Sequence, residues 1–204
     1  MNEFVIVRHG NTFDSGDTLL RVGARTDLPL SKSGQAQAMA LGDHFVDKFP
    51  DGFSQATSSP LLRTRQTAEA ILSVYDSPPL LRTEAFLTEV DYGPDEGQAE
   101  EKVVARLGPD ALALWESSAV PPADWLVDTA QLRKDWRTFF ATTNDNGEPS
   151  RTLVVTSNGI ARFALDVIQT GRNKVGSLKL KTGAYGLIRV DGADINLEAW
   201  NIRP

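Results

Sequence analysis

Short apolar runs and segments with helical spacing follow one another along this chain. The first run, Phe-Val-Ile-Val at positions 4–7, is apolar and partly β-branched, which predicts a short buried strand that ends before Gly10. Ser31 is a predicted helix N-cap, and the apolar residues of 35–49 recur at helical spacing, which predicts a helix. Three further strands are predicted, at 54–58, 80–82 and 152–156.

Prolines and glycines mark the limits of the later predicted elements. Ser59 is a predicted N-cap, with Pro60 at the first position of a second helix. Residues 101–144 are predicted to form two or three helices, which Pro121 and Pro122 interrupt. A turn is expected over the Asp-Asn-Gly sequence at 145–147.

The last quarter of the chain is predicted to contain one helix and a strand meander. The helix is expected to begin after Ser157 and to stop at Gly171. Strands are predicted at 178–181, 185–190 and 195–200. Arg172 and the lysines near it form a short basic run, which we interpret as a solvated turn and edge strand.

Length and composition indicate one globular domain. At 204 residues, with 41% hydrophobic and 24% charged residues, the chain is large enough for a core of its own. A net charge of -6 argues against a nucleic-acid partner, which requires a basic face. The N-terminus enters a strand without a basic leader, and no apolar run is as long as a membrane span. We therefore expect a cytoplasmic protein with no membrane partner.

The residue counts also exclude several kinds of chemistry. The sequence holds no cysteine, which excludes disulfides, thiolate zinc sites and a cysteine nucleophile. With only His9 and His44, it has too few imidazoles for a histidine-rich metal site. His44 falls within the first predicted helix beside acidic residues, and we interpret it as a surface histidine without a role.

An arginine and a histidine follow the first predicted strand directly. Open α/β sheets bind ligands at the carboxyl ends of their strands, and Arg8 and His9 stand at that position. Arg8 carries a planar fork of donors that matches phosphate oxygens, and His9 can be a nucleophile or a proton shuttle. The tripeptide Arg-His-Gly alone is a weak motif, so its meaning depends on the rest of the chain.

Three later segments supply what a histidine-based phosphoryl-transfer site needs. They are Arg-Val-Gly-Ala-Arg-Thr-Asp-Leu-Pro-Leu at 21–30, the predicted helix with Arg63 in its first turns, and Leu-Thr-Glu-Val-Asp-Tyr-Gly at 87–93. With Arg8 and His9, these segments resemble the histidine phosphatase superfamily, the phosphoglycerate mutase-like proteins, from end to end.

The resemblance implies a role for each catalytic candidate. His9 matches the nucleophile, and Arg8 and Arg63 match the two arginines that clamp the phosphate. Glu89, with Gly93 four residues later, matches the family's proton donor. Its sequence neighbours Asp91, Asp95 and Glu96 are competing carboxylates, which are more often solvated loop acids than catalysts.

The resemblance also implies a set of substrate-binding residues. Arg21 and Gly23 are placed near the entry of the substrate, and Arg25 can bind a second anionic group or be a solvated loop arginine. The complete set of substrate-binding candidates is Arg8, Asn11, Thr12, Arg21, Gly23, Arg63, Asn158 and Gly159.

One position departs from the family pattern. Where relatives have Ser-His-Gly, this chain has Ser157, Asn158 and Gly159. Asn158 can offer an amide donor to a phosphoryl oxygen but carries no positive charge, and the loss of a charge-assisted hydrogen bond slows phosphoryl transfer. Asn158 is also a good helix N-cap, and one residue can have both roles.

We expect an α/β fold, a three-layer αβα sandwich with a mainly parallel central sheet and a pocket at its carboxyl edge. Residues 1–204 form a single histidine phosphatase-like domain in this prediction. The resemblance implies that a helical insertion at about 98–145 caps the pocket and sets the choice of substrate.

The first functional hypothesis is a phosphatase that hydrolyses phosphate monoesters of small molecules through a phosphohistidine on His9. It requires no metal and no organic cofactor, its partner is a phosphorylated small molecule, and we expect a monomer or homodimer. The alternatives are a phospho-ligand binding protein that lost turnover with the histidine at position 158, and a phosphoglycerate-type mutase. The mutase ranks lower because the arginines of the cap region, Arg106, Arg133 and Arg137, include no adjacent pair.

Overall fold

The computed structural model describes residues 1–142 and 149–204, and within these residues it contains a six-stranded sheet and five α-helices. The predicted turn at 145–147 lies outside the described residues. The strands are β1 (Asn2–Arg8), β2 (Gln55–Ser58), β3 (Leu81–Thr83), β4 (Ser150–Thr156), β5 (Tyr185–Asp191) and β6 (Asp194–Ile202). The helices are α1 (Lys32–Lys48), α2 (Leu62–Leu72), α3 (Glu100–Ser118), α4 (Thr129–Thr142) and α5 (Asn158–Ala164).

The sheet is mixed and mostly parallel. Its strand order is β3-β2-β4-β1-β5-β6, and the pairs β3–β2, β2–β4 and β4–β1 are parallel. The last two strands pair antiparallel, β5 with β1 and β6 with β5. The predicted α/β fold with a mainly parallel sheet is therefore confirmed, and the carboxyl ends of β1, β2 and β4 meet at one edge.

Both faces of the sheet are covered, because successive residues of β1 point to opposite sides. Phe4 and Ile6 belong to one apolar cluster, with side chains of α4 and α5 such as Trp136 and Phe163. Val5 and Val7 belong to a second cluster, whose other members include Leu41, Phe45, Ala68 and Ile71 of α1 and α2. Burial of each Val, Leu, Ile or Phe side chain in these clusters contributes about 1.5–3 kcal/mol, and the two clusters hold the helices on both faces of the sheet, which gives the three layers of the fold.

The first helix begins as predicted, and the second does not. Ser31 Oγ accepts a hydrogen bond from the Gly34 N–H at 3.2 Å, so Ser31 caps α1. The prediction that Ser59 caps the second helix is wrong, because α2 begins at Leu62 and its N-cap is Leu61. Ser59 Oγ accepts instead from the Leu61 N–H at 3.2 Å, and this bond holds the turn before the helix.

Two predictions for the last quarter of the chain are also wrong. The helix that begins at Asn158 ends at Ala164 and continues as a 3-10 turn over Leu165–Val167, well before Gly171. Residues 178–181 do not form a strand. The Leu180 N–H donates to Asn158 Oδ1 at 2.8 Å, and its carbonyl accepts from Arg8 Nη1 at 2.9 Å, so side chains take the place of a strand partner.

Residues 100–142 form two helices, as the spacing predicts for this region. The first, α3, bends at Gly108, whose φ of 77° lies in the left-handed region, and Pro109 follows without an N–H to donate. Its last turn buries Trp115 in the apolar cluster that also contains Trp136 of α4. Across 1–142 and 149–204, every helix is too short or too polar to span a lipid bilayer.

Candidate active site

The segments that follow the parallel strands converge on one cavity. It has a volume of about 390 Å³ and opens at the edge where β1, β2 and β4 end. Residues of the wall lie at or after the end of each of these strands, namely Arg8 and His9 for β1, Arg63 for β2 and Asn158 for β4. Open α/β sheets bind ligands at such an edge because loops and helix starts from several strands meet there.

His9 is buried in the cavity wall with one tautomer fixed. Its side chain is 6% exposed, and Nδ1 lies 2.7 Å from the carbonyl oxygen of Gly10. A carbonyl can only accept, so Nδ1 carries the proton and Nε2 keeps a free lone pair. Burial, with the positive charges of Arg63 and Arg8, holds the pKa of His9 well below its ordinary value. His9 is therefore a neutral imidazole with a nucleophilic nitrogen.

The lowered pKa of His9 predicts how this residue titrates. As the pH falls through about 6.5, the ordinary histidine value, His9 stays neutral in the native state while it binds a proton in the unfolded chain. Stability is therefore lost as the pH falls, because the unfolded state binds more protons. The measurement is an NMR titration of the two imidazole Cε1–H resonances, with His44→Gln used to assign them, and we expect His9 to titrate at lower pH than His44. A His9 resonance that titrates near its ordinary value contradicts this environment.

Two guanidinium groups flank His9 and are fixed by backbone carbonyls. Arg8 Nη1 donates to the Leu180 carbonyl at 2.9 Å, while Arg63 donates to Thr26 from Nη1 at 2.8 Å and to Gly23 from Nη2 at 3.1 Å. Burial lowers the pKa of both guanidiniums, yet arginine remains charged in proteins. The Nε atom of each is buried and has no hydrogen-bond partner in the described part of the chain. These two donors can serve an anion beside His9.

Glu89 is held in the same wall by two backbone N–H groups. Its side chain is 6% exposed, Oε1 accepts from the Val90 N–H at 2.9 Å, and Oε2 accepts from the Gly159 N–H at 3.3 Å. A Cβ at position 159 would clash with Oε1 of Glu89, so a larger residue there would displace the carboxylate. Gly159 is thus a positioning residue for Glu89 rather than part of the cavity wall.

The competing carboxylates are engaged elsewhere. Asp91 pairs with Arg25 at 3.0 Å, and Arg25 is exposed and outside the cavity wall, which favours the solvated loop arginine of the two alternatives. Asp95 accepts from Trp125 Nε1 at 2.8 Å and pairs with Arg106, and Glu96 accepts from the backbone N–H groups of Arg25 and Tyr92. Within the described residues, the cavity wall includes Glu89 and none of these three.

Asn158 stands at the first position of α5 and lines the cavity. Its Oδ1 accepts from the Leu180 N–H at 2.8 Å, which leaves the Nδ2 amide as the group that can donate to a ligand. The interpretation of Asn158 as the N-cap is wrong, because Ser157 is the N-cap residue. The side chain of Asn158 therefore connects the cavity to the segment around Leu180.

The other predicted binding residues divide into two groups. Asn11, Thr12 and Arg21 line the cavity. Arg21 pairs with Glu100 and lies 5.2 Å from the ring centroids of both Tyr92 and Trp125. Gly23 does not line it, and its carbonyl orients Arg63 instead. The roles of all these residues in binding stay predictions.

The structure adds cavity residues that the sequence did not indicate, among them Phe13, Tyr92, Trp115, Glu116, Lys179 and Thr182. It also places a fully buried Arg162 beside them, with its guanidinium 4.1 Å from the Trp115 ring centroid and Nη2 3.7 Å from Glu116. Arg162 follows Asn158 by four residues, so helical spacing alone places both on one face. No comparable signal indicates Lys179, because its segment is irregular.

Comparison with known proteins relates this arrangement to a family. The model of the histidine phosphatase superfamily (branch 1) matches residues 4–203. A 2,3-bisphosphoglycerate-dependent phosphoglycerate mutase 2 of Gloeobacter violaceus is 29% identical over 160 residues, which cover 76% of this chain and 69% of the mutase. The uncharacterized phosphatase PhoE of Bacillus subtilis is 32% identical over 106 residues, 52% of this chain and 51% of PhoE.

Solved structures agree with these relatives at the level of the fold. The mycobacterial glucosyl-3-phosphoglycerate phosphatase in complex with inorganic phosphate superposes with a TM-score of 0.75, at 21% identity, over 98% of this chain and 97% of the phosphatase. The family model spans nearly the whole chain, so this protein belongs to branch 1 of the histidine phosphatase superfamily.

Proposed function

We propose that this protein is a phosphatase that hydrolyses phosphate monoesters of small molecules through a phosphohistidine on His9. The observation that carries the proposal is a neutral imidazole with a free Nε2, flanked by two fixed guanidiniums in the same cavity as Glu89. The cavity volume of about 390 Å³ is in the range of small-molecule sites. Phosphatases among the relatives support the same reaction class.

In the first step, Nε2 of His9 attacks phosphorus opposite the leaving oxygen. The N–P bond forms, the P–O ester bond breaks, and the protonated carboxyl of Glu89 gives its proton to the departing alkoxide. Arg8, Arg63 and the Asn158 amide hold the three equatorial oxygens. Since phosphoryl transfer depends mainly on positioning and charge stabilisation, these fixed donors supply most of the rate.

In the second step, Glu89 acts as the base. Its carboxylate takes a proton from a water molecule, the water oxygen attacks phosphorus, and the N–P bond breaks to release inorganic phosphate and neutral His9. The proton taken from water restores the protonated carboxyl of Glu89 for the next cycle, and no step transfers electrons to or from a redox partner. Every step uses side chains of this chain, and the mechanism requires no metal ion.

A phospho-ligand binding protein is the second candidate, and Asn158 is the observation that favours it. The amide of Asn158 lacks the positive charge that a histidine there supplies, which slows transfer. The position of Glu89 argues for catalysis, because binding an anion gains nothing from a buried carboxylate held by two N–H groups. A binding protein would hold phosphate and release no product.

The mutase is less supported, because the arginines expected to hold a substrate carboxylate are engaged elsewhere. Arg106 pairs with Asp95 and Asp124, and Arg133 pairs with Asp166. Arg137 lines a different cavity, beside Phe140 and Val190. In the described residues, none of the three belongs to the wall around His9.

Hydrolysis of para-nitrophenyl phosphate in the presence of a chelator tests the proposal. We expect steady release of nitrophenolate between acid and neutral pH, without added bisphosphoglycerate, because His9 is already neutral and no cofactor takes part. An alkaline quench followed by mass spectrometry should find one phosphoryl group on the peptide that contains His9. Binding of inorganic phosphate with no release of nitrophenolate at any pH would establish the binding protein instead.

A further inference from the structure

Lys179 is a cavity residue that the proposed mechanism does not use. It lines the wall together with Arg8, His9 and Asn158, while its side chain is exposed. The mechanism needs donors for the phosphoryl oxygens, and Arg8, Arg63 and Asn158 provide them. Because Lys179 is more exposed than these residues, it can meet the part of a substrate that extends from the phosphate toward solvent.

The backbone beside Lys179 is fixed by the residues that surround the phosphate position. Leu180, the next residue, donates its N–H to Asn158 Oδ1 at 2.8 Å, and its carbonyl accepts from Arg8 Nη1 at 2.9 Å. Two residues further, Thr182 Oγ1 donates to Asn11 Oδ1 at 2.6 Å. These hydrogen bonds hold the main chain at Lys179 in a fixed position relative to the phosphate site. The side chain of Lys179 is a flexible stem with a charged end.

The other charges of the wall are already compensated. Arg21 pairs with Glu100, and Glu116 lies 3.7 Å from the buried Arg162. Arg8 and Arg63 face the position of a phosphate dianion, whose two negative charges they balance. Among the described residues, no carboxylate lies within ion-pair distance of Lys179. In the proposed first step Glu89 is protonated, so among the described residues of the wall Lys179 is the cation that neither these ion pairs nor the phosphate balances.

We propose that Lys179 is a specificity residue that binds a second anionic group, a carboxylate or a second phosphate, on the alcohol part of the substrate. The inference rests on the proposed phosphatase function, since the phosphate held by Arg8 and Arg63 fixes where the alcohol lies. The preferred substrates are then doubly anionic monoesters, that is, monoesters that carry a second anionic group besides the phosphate to be removed, whereas singly anionic esters carry the phosphate alone. Lys179 contributes mainly through binding of that group, so its effect depends on whether the substrate carries it.

Two pairs of substrates isolate this contribution. 3-Phosphoglycerate and glycerol 3-phosphate differ by a carboxylate in place of a hydroxymethyl group, and glucose 1,6-bisphosphate and glucose 6-phosphate differ by a second phosphate. The readout is the ratio of kcat/KM within each pair. In kcat/KM, wild type should favour the doubly anionic member of at least one pair by about tenfold. This preference is small for a charge-assisted contact, because solvent screens an exposed ammonium.

Lys179→Met and Lys181→Met form a matched set of variants. Lys181 is also exposed but does not line the cavity, so Lys181→Met should keep the wild-type ratios. Lys179→Met should bring the favoured ratio close to one, and the pair that responds identifies the anionic group. Ratios that Lys179→Met leaves unchanged in both pairs would overturn the proposal, as would a wild-type preference for the singly anionic esters.

Failure of the phosphatase function itself gives a different result. In that case wild type hydrolyses none of these esters, para-nitrophenyl phosphate included. Calorimetric titration of the same ligands into His9→Ala protein, with and without Lys179→Met, then measures binding independently of turnover. A dissociation constant for a doubly anionic ligand that rises about tenfold with Lys179→Met supports the role of Lys179, and an unchanged constant for both such ligands contradicts it.

Discussion

The His9→Ala variant should lose turnover of phosphate esters by on the order of 10⁶-fold, the scale seen when a nucleophile is deleted from a catalytic unit. His9 Nε2 is the atom that forms the covalent bond in the proposed mechanism, and Nδ1 is committed to the Gly10 carbonyl. Removal of the imidazole leaves Arg8 and Arg63 in place, so the variant should still bind inorganic phosphate. The measurements are kcat on para-nitrophenyl phosphate and a phosphate titration by calorimetry.

The second histidine of the chain provides the control. His44 lies on α1, where its Nε2 is 3.0 Å from the hydroxyl of Tyr185, and it does not line the cavity. His44→Ala should therefore change kcat by less than about twofold, while thermal unfolding of both variants reports on the fold. If His9→Ala retained wild-type kcat with a folded structure, the nucleophile would have to be another group.

The layers of the fold could be predicted from the sequence because the strands at its centre are buried on both faces. A run such as Phe-Val-Ile-Val sends alternate side chains to opposite clusters, and the structure places Phe4 and Val5 in different ones. The edge where ligands bind then follows from the parallel topology. Arg8, His9, Arg63 and Asn158 meet there because each lies at or after the end of a parallel strand.

The segment around Leu180 could not be predicted, because its hydrogen-bond partners are remote in sequence. Its apolar and basic alternation is typical of an edge strand, but the partners of its N–H and carbonyl are the side chains of Asn158 and Arg8, 22 and 172 positions away. Local pattern carries no information about such pairings. The consequence for the site is direct, since a solvated edge strand was expected where Lys179 lines the cavity.

Arg63 lines the cavity, although the helix that carries it does not begin where the sequence predicts. Pro60 is the expected first position of the second helix, but the helix begins two residues later. Ser59 does not cap it, because its Oγ accepts from the Leu61 N–H in the turn before the helix. Arg63 still falls in the first turn, and its two Nη atoms donate to the carbonyls of Gly23 and Thr26. The sequence indicated that Arg63 and the loop at 21–30 are near each other only through the family resemblance.

The Glu89→Gln variant should separate the two chemical steps. With an alkyl phosphate, whose alkoxide leaves poorly without a proton, kcat should fall about 10³-fold, within the range of general acid–base catalysis. With para-nitrophenyl phosphate the leaving phenolate needs little protonation, so His9 is still phosphorylated, but hydrolysis of the phosphohistidine lacks its base. We expect a burst of about one nitrophenolate per active site, then slow release, measured by stopped-flow absorbance.

Asp91→Asn is the matched control, because it makes the same carboxylate-to-amide change two residues away. Asp91 is paired with Arg25 outside the cavity wall, so this variant should keep steady turnover without a burst. Gln at position 89 has one acceptor oxygen for the two N–H groups of Val90 and Gly159, which costs about 1 kcal/mol of stability. That loss lowers the melting temperature but cannot produce a burst. Equal slowing of both esters by Glu89→Gln, with no burst, would therefore place the proton donor elsewhere.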